Sequence, residues 1–399
     1  MIAPEEALAI IQKQISTLDT EQVPLAEAQG RILRENCIAD IDLPPFARAT
    51  MDGYAVRSED VTNANAKLEI IGMIAAGSHL EKPVQRGQAA KIMTGAPLPD
   101  GADAVQKVEV TESSGDTVVI HEPIAKGKNV TPAGSEASKG QTVITNGTRI
   151  TAAEIAVLAT FGYSKVTVGR RPRVAVMATG TELVDVTEKP GVAQIRNSNN
   201  LAVAAYAADV GASVTDFGRV VDDEELLTDK LSAALDNCDA LIISGGVSMG
   251  DYDLVKICLK RLGAEFFFEK VALRPGKPLV FAKLGYTFIF GLPGNPVSTS
   301  VTFNLFVRSA LLQMMGASDT TLPTVKAFLL DKIKPTKERR SYLPGNLSYT
   351  NGRVEAAELK WGGSSDLVGF RSADCLIIAP AGADPLKPGD LVDVVLLER

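Results

Sequence analysis

The chain has 399 residues, 45% hydrophobic and 22% charged, which makes it globular and long enough for two to four domains. Its net charge of −7 excludes the basic excess of a nucleic-acid binder, so any anionic ligand must be met by local cations. No apolar run approaches the ~18 residues of a membrane span, and acidic Glu5 and Glu6 stand where a signal peptide would be basic, so the expectation is a cytoplasmic protein that binds neither membrane nor nucleic acid. Cys37, Cys238, Cys258 and Cys375 are scattered without a CxxC pair, and His79 and His121 are the only histidines. These counts speak against a zinc knuckle, a disulfide framework and a Ser-His-Asp triad.

Pro4 to Leu18 reads as an amphipathic helix, with Leu8, Ile11, Ile15 and Leu18 at helical spacing and acids in the first turn. A second helix is readable from Thr151 to Thr160, where Thr151 and Glu154 have capping-box spacing. Between them, residues 41 to 144 read as short strands (Leu68–Gly72, Val105–Val110, Thr117–Ile120) broken by Gly, Pro, Asn and Asp clusters. We therefore expect a β-rich insertion at 41–137 carried on a discontinuous helical linking domain, 1–40 and 138–166. Two stretches of the insertion, FARATMDGYAV around Asp52 and IMTGAPLPDGAD around Thr94, read first as ordinary turns, with a functional role the alternative.

From 167 to 318 the character changes. Strands (Arg173–Ala178, Ala212–Val220, Asp239–Ile243) alternate with helices (Asn199–Asp209, Asp223–Leu235, Tyr252–Leu262). Strands at Glu265–Leu273, Leu279–Lys283 and Thr287–Phe290 and a long helix Val297–Met315 follow. The pattern predicts a doubly wound α/β domain with a mostly parallel sheet, whose ligands bind beyond the carboxyl ends of the strands. Three small-residue loops lie there: ATGTEL at 178–183, SGGVSMG at 244–250 and GLPGNP at 291–296. Gly245, Gly246 and Gly250 let backbone N–H groups approach an anion, and Ser248 can either cap the following helix or hold a phosphate. Lys270, Arg274 and Lys277 supply cations at one rim, whereas Glu182, Asp222 and Asp253 supply carboxylates near strand ends. Acids beside a phosphate cradle suggest Mg²⁺ between them, although each acid could equally cap a helix. The last segment, 319–399, is rich in short strands and reads as a small β-barrel domain.

In this order and at these separations, ATMDGYAV, IMTGAPLPDGADAV, ATGTEL, ISGGVSMGDYD, LRPGKP and GLPGNPVS resemble the molybdopterin molybdenumtransferases, the MoeA family that includes the E domain of gephyrin. SGGVSMG alone also resembles molybdopterin adenylyltransferases and competence-damage proteins; the MDGYA and MTGAP stretches separate the families. The resemblance implies an enzyme that takes adenylylated molybdopterin and molybdate, inserts the metal with help from Mg²⁺ and releases AMP. It also implies an elongated homodimer in which Asp52 and Thr94 come from the partner's insertion. Encounters with the adenylyltransferase that supplies the substrate and with apo-molybdoenzymes belong to the same expectation. Carried over by motif, Asp52, Thr94, Glu182, Asp222 and Asp253 would be catalytic, the last three also metal-binding. Gly245, Gly246, Ser248, Gly250, Lys270, Arg274, Lys277, Pro293, Pro296, Arg340 and Ser372 would bind substrate, with Arg339 a second candidate in the KPTKERR run. The chain departs from the family in NVTPAGSEASKG, where Thr131 stands at the expected Arg and Glu136 at the expected Asp. A non-catalytic pterin carrier and a plain phosphoanhydride hydrolase are the rival readings.

Overall fold

The structure, a computed structural model, describes residues 1–246 and 254–397. They form two compact units. The insertion unit comprises Asn36–Thr145 and Ala153–Ser164, and the larger unit Met1–Glu35, Asn146–Ala152 and Lys165–Arg399.

The insertion unit is built on six strands: β1 (Gly53–Val56), β2 (Ala66–Ile74), β3 (Gln88–Ile92), β4 (Ala104–Lys107), β5 (Thr111–Ser114) and β6 (Thr117–Ile120), in the order β4-β1-β3-β2-β6-β5. Because side chains alternate across a strand, Tyr54 and Val56 enter one apolar cluster with Val118 and Ile120, while Ala55 enters another with Ile74, Ile92 and Val105.

In the larger unit, six strands form the expected α/β sheet: β7 (Arg173–Thr179), β8 (Ser213–Val220), β9 (Ala240–Ser244), β10 (Glu265–Lys270), β11 (Pro278–Leu284) and β12 (Thr287–Leu292), in the order β8-β7-β9-β12-β11-β10. The four strands β8, β7, β9 and β12 are mutually parallel. Both faces are buried. Val174, Val176 and Ile242 face a cluster containing Val203, Ala207 and Phe303, whereas Ala175, Met177, Leu241 and Ile243 face Leu227, Leu231, Val255 and Leu259. That is the doubly wound arrangement, and it explains why these strands read as continuous apolar runs. β11 and β10 join antiparallel at one side, β11 and β12 being linked by a tight turn at Gly285, whose φ of 58° suits glycine. A five-stranded barrel closes the C-terminal part: β13 (Thr324–Leu329), β14 (Arg340–Thr350), β15 (Arg353–Glu358), β16 (Cys375–Ala379) and β17 (Leu391–Leu396), with β14 pairing both β15 and β16.

The structure redraws some expected boundaries. The first helix runs Pro4–Gln14, four residues short of Leu18, because Ile15 turns extended and drops into the core beside Met314. The linking domain expected from residues 1–40 and 138–166 is divided between the two units. The first helix packs Ala7 and Ile11 into the α/β core, whereas the helix Ala152–Thr160 sends Val157 towards Ala39, Ala137 and Phe161 in the insertion. The single helix expected over 297–315 is α-helical at Pro296–Thr302 and Arg308–Met315 with a π turn at Phe303–Val307 between them.

At the amino ends of β7 and β9, Arg170 donates from both terminal nitrogens to Asp239 at 2.9 and 3.0 Å, and the Arg173 N–H donates to the same carboxylate at 2.7 Å. Burial alone would push the Asp239 carboxyl up, but these donors outweigh it and hold the group below the ordinary carboxylate range. A lowered folded value stabilises above the unfolded value and loses its contribution as pH falls through the folded one. Asp239→Asn is therefore expected to cost about 1–3 kcal/mol at neutral pH, the difference from wild type shrinking in acid, as measured by denaturant unfolding across pH.

Candidate functional site

β7, β9 and β12 are adjacent and parallel, so the three small-residue loops leave the same edge of the sheet. Gly245 and Gly246 follow β9 with φ of 85° and 61°, and their backbone lies so close to β7 that a Cβ at Gly245 would sit 2.4 Å from the Thr179 carbonyl oxygen. Gly245 donates to the Leu292 carbonyl at 3.1 Å, and Gly294 approaches near enough that its Cβ would lie 3.6 Å from the Gly245 Cα. Two loops are thereby fastened to each other. In the third, Thr181 donates from its N–H and its hydroxyl to Asp222 at 3.2 and 3.1 Å, and the Glu182 carboxylate folds over Gly180, where a Cβ would be only 2.6 Å from it.

These loops open into a cavity of about 910 Å³. Of the residues expected at the site, Glu182, Gly245, Gly246, Arg274, Lys277, Pro293 and Pro296 line it. Ser244 lines it too, 3% exposed, and among the described residues neither its hydroxyl nor that of neighbouring Thr179 has a hydrogen-bond partner. A buried, unpaired donor such as Ser244 in the cavity wall suits an anionic oxygen. The LRPGKP loop is positioned from behind: Gly276 has φ of 112° and a Cβ there would meet the Thr302 methyl at 2.6 Å, so only glycine lets Arg274 and Lys277 flank this close approach.

Other expected site residues lie apart from the cavity wall. Asp222 does not cap the next helix and is absent from the cavity wall; Asp223 is the cap, accepting from the Leu226 N–H at 3.0 Å, which frees Asp222 to hold Thr181. Arg340 forms a close ion pair with Glu5, and its neighbour Arg339 reaches the cavity instead. Lys270 and Ser372 do not line the cavity; the Ser372 carbonyl accepts from Asn346 at 2.6 Å. Ser248, Gly250 and Asp253 lie outside the described residues. Among the described residues no three carboxylate, histidine or cysteine side chains gather as a metal site, and Glu182 is the carboxylate in the cavity wall. Burial pushes the thiols of Cys238 and Cys375 up to about 11 and about 12, which leaves neither as a thiolate at neutral pH.

Residues that sequence reasoning missed come from two places. Arg196, Asn197 and Asn199 follow the ATGTEL loop, Asn199 donating to the Gly294 carbonyl at 2.7 Å. Trp361, Gly363, Ser364 and Leu367 come from the barrel segment, where Asn295 donates to the Ser364 hydroxyl at 2.9 Å and so ties that segment to the GLPGNP loop. The WGGSS run was a readable glycine-rich signal, but nothing local in sequence connects it to the sheet edge.

In the insertion unit the structure brings Asp52 and Thr94 together. Thr94 donates from its N–H and hydroxyl to the same Asp52 oxygen at 2.7 and 2.8 Å, and those two bonds lower the Asp52 carboxyl below its ordinary range. The departure at Thr131 also has a structural counterpart. Thr131 is the cross-strand partner of Arg48, whose guanidinium donates to Glu136 at 2.9 Å, so a guanidinium–carboxylate pair exists here with its cation supplied from position 48.

A doubly wound sheet with fastened glycine loops and four cations (Arg196, Arg274, Lys277 and Arg339) around one cavity defines an α/β protein whose cavity chemistry suits an anion. The MoeA N-terminal region (domain I and II) matches residues 2–162, a probable molybdopterin binding domain matches 175–313, and the MoeA C-terminal region (domain IV) matches 326–397. Molybdopterin molybdenumtransferases of Staphylococcus epidermidis and Staphylococcus aureus are each 35% identical over 401 residues, covering 100% of this chain and 96% of the relative. A crystal structure of a molybdopterin biosynthesis moeA protein from Pyrococcus horikoshii OT3 superposes with a TM-score of 0.86 at 30% identity, covering 100% of both chains. The chain belongs to the MoeA family.

Proposed function

We propose that the chain is a molybdopterin molybdenumtransferase, which inserts molybdenum from molybdate into adenylylated molybdopterin and releases AMP. The observation that carries this reading is end-to-end likeness to relatives of that name, joined to a cavity lined by glycine loops and by Arg274, Lys277 and Arg339. Molybdate and the substrate's phosphates are oxyanions, for which charge-assisted hydrogen bonds from guanidinium and ammonium groups are the fitting partners.

In this reading Gly245 and Gly246, with Ser248 and Gly250, cradle the pterin-side phosphate, and the Ser244 hydroxyl finds in the ligand the partner it lacks. Arg274 and Lys277 hold molybdate beside the anhydride, and Pro293 and Pro296 stiffen the GLPGNP part of the wall. A molybdate oxygen attacks the AMP phosphorus, the bond from that phosphorus to the bridging oxygen breaks, and the pterin phosphate leaves, giving a molybdate–AMP mixed anhydride. The two dithiolene thiols then bind the molybdenum, its bond to the AMP oxygen breaks to free AMP, and the two thiol protons depart with one molybdate oxygen as water. The protein acts by positioning and by offsetting the charge that develops. Glu182, joined by Asp253, would hold Mg²⁺ together with the substrate's phosphates, a mode that needs few protein carboxylates, and the ion would supply charge neutralisation there. Asp222 acts through Thr181, fixing the loop that carries Glu182. The Asp52–Thr94 pair, exposed on the insertion, would be contributed by the second copy of a homodimer working in the cytoplasm.

Wild-type protein incubated with adenylylated molybdopterin, molybdate and Mg²⁺ is expected to restore activity to an apo-molybdoenzyme, and omission of molybdate is expected to abolish the restoration. Failure to reconstitute with all components present would remove the assignment.

A further inference from the structure

The cavity wall contains an aromatic residue for which the anion chemistry has no use. Trp361, the only tryptophan of the chain, lines the same cavity as Arg274, Lys277 and Arg339 and is the only aromatic side chain among the described residues of that wall. Its body is partly buried where the apolar cores of the α/β domain and the barrel meet. Its indole N–H donates to Glu358 at the end of β15 at 3.2 Å.

The segment that carries Trp361 is tied down on its other side as well. The Asp366 carboxylate accepts from the N–H of Gly362 at 2.8 Å and from that of Gly369 at 2.9 Å, which bridges the residue after the tryptophan to the short helix Leu367–Phe370. Gly369 lies close enough to the tryptophan that a Cβ there would be 3.2 Å from the Trp361 Cβ. An oriented, preorganised aromatic face beside cations is the arrangement that takes a flat ring attached to phosphate: the ring stacks, and the phosphate pairs with the cations.

We propose that Trp361 is the stacking platform for a planar heteroaromatic ring of the substrate, positioned by Glu358 and by the Asp366 bridge. The proposal rests on the reading that the substrate is an adenylylated pterin, which has two such rings, the adenine and the pterin. Since the remaining described wall offers Gly, Ser, Pro, Asn, aliphatic and charged residues, Trp361 is the one π face among the described residues for an entering ring to lie on.

The lone tryptophan makes the test direct. Titrating the wild-type protein with AMP is expected to change its intrinsic fluorescence saturably if the ring is adenine. Isothermal titration calorimetry with AMP and with molybdopterin then compares Trp361→Phe, which keeps an aromatic face, with Trp361→Leu, which keeps apolar bulk without one; thermal melts establish that both are folded. Phe is expected to bind within about threefold of wild type and Leu about tenfold more weakly, for AMP in the adenine case and for molybdopterin in the pterin case. Equal affinities of the Phe and Leu variants for both ligands would overturn the proposal. Ring-dependent binding without molybdate-dependent AMP release by wild type would leave the stacking site standing and remove the transferase reading instead.

Discussion

Gly245→Ala is expected to abolish AMP release and to destabilise the larger unit. The residue sits at φ of 85°, where a Cβ would lie 2.4 Å from the Thr179 carbonyl oxygen and 3.4 Å from the Thr179 hydroxyl oxygen. The first of these is a backbone atom held in the β7–β9–β12 register, so the contact is relieved only by moving a strand. The left-handed conformation alone costs an alanine about 1–3 kcal/mol, and the clash adds to it. Unfolding by denaturant measures the first part and AMP release the second. Gly285→Ala is the control, since that glycine also has positive φ, 58°, but an added Cβ would meet nothing. It is expected to show the conformational cost without loss of turnover, because it lies at the far turn between β11 and β12.

Removing the cations of the LRPGKP loop is expected to give the second large effect. Lys277→Ala and Arg274→Ala should each lower the rate of AMP release at limiting molybdate by about 10- to 100-fold, the range that corresponds to losing one charge-assisted hydrogen bond of about 1.5–3 kcal/mol. Arg274→Lys keeps the charge and loses the planar fork, so it should fall between wild type and Arg274→Ala. Initial rates measured against molybdate concentration separate the cases. A defect that high molybdate rescues assigns the residue to anion binding, and one that persists at saturation assigns it to the chemical step.

Much of this site was legible because its parts are local. Each small-residue loop directly follows its strand, at 178–183, 244–246 and 291–296, and parallel order brings such loops to one edge. Distances of hundreds of residues carry no such signal. Trp361 and Ser364 reach the cavity only because β14, through Arg340 and Ser341, pairs with Leu273 and Arg274 and so hangs the barrel on the LRPGKP segment. One-residue ambiguities were also beyond local pattern. Between Asp222 and Asp223 only the geometry chooses the helix cap, and Arg339, just before the strand that begins at Arg340, lines the cavity while Arg340 pairs with Glu5. The early end of the first helix has the same origin, since Ile15 satisfies the apolar spacing of a helix equally well from an extended backbone that enters the core.

The guanidinium at position 48 shows the converse case, in which a motif read one residue at a time looked deficient. Thr131 removes a cation from its own strand, but the antiparallel partner of that residue is Arg48, already paired with Glu136. Side-chain chemistry on a sheet is shared by cross-strand neighbours, and those neighbours are invisible along the chain.

The most direct test of the assignment is AMP release from adenylylated molybdopterin, measured in Mg²⁺ with molybdate present and absent. Release that requires molybdate and yields one AMP for each molybdenum inserted is expected. Release indifferent to molybdate would mark a plain phosphoanhydride hydrolase, and tight pterin binding with no AMP in either condition would mark a carrier; either result would contradict it.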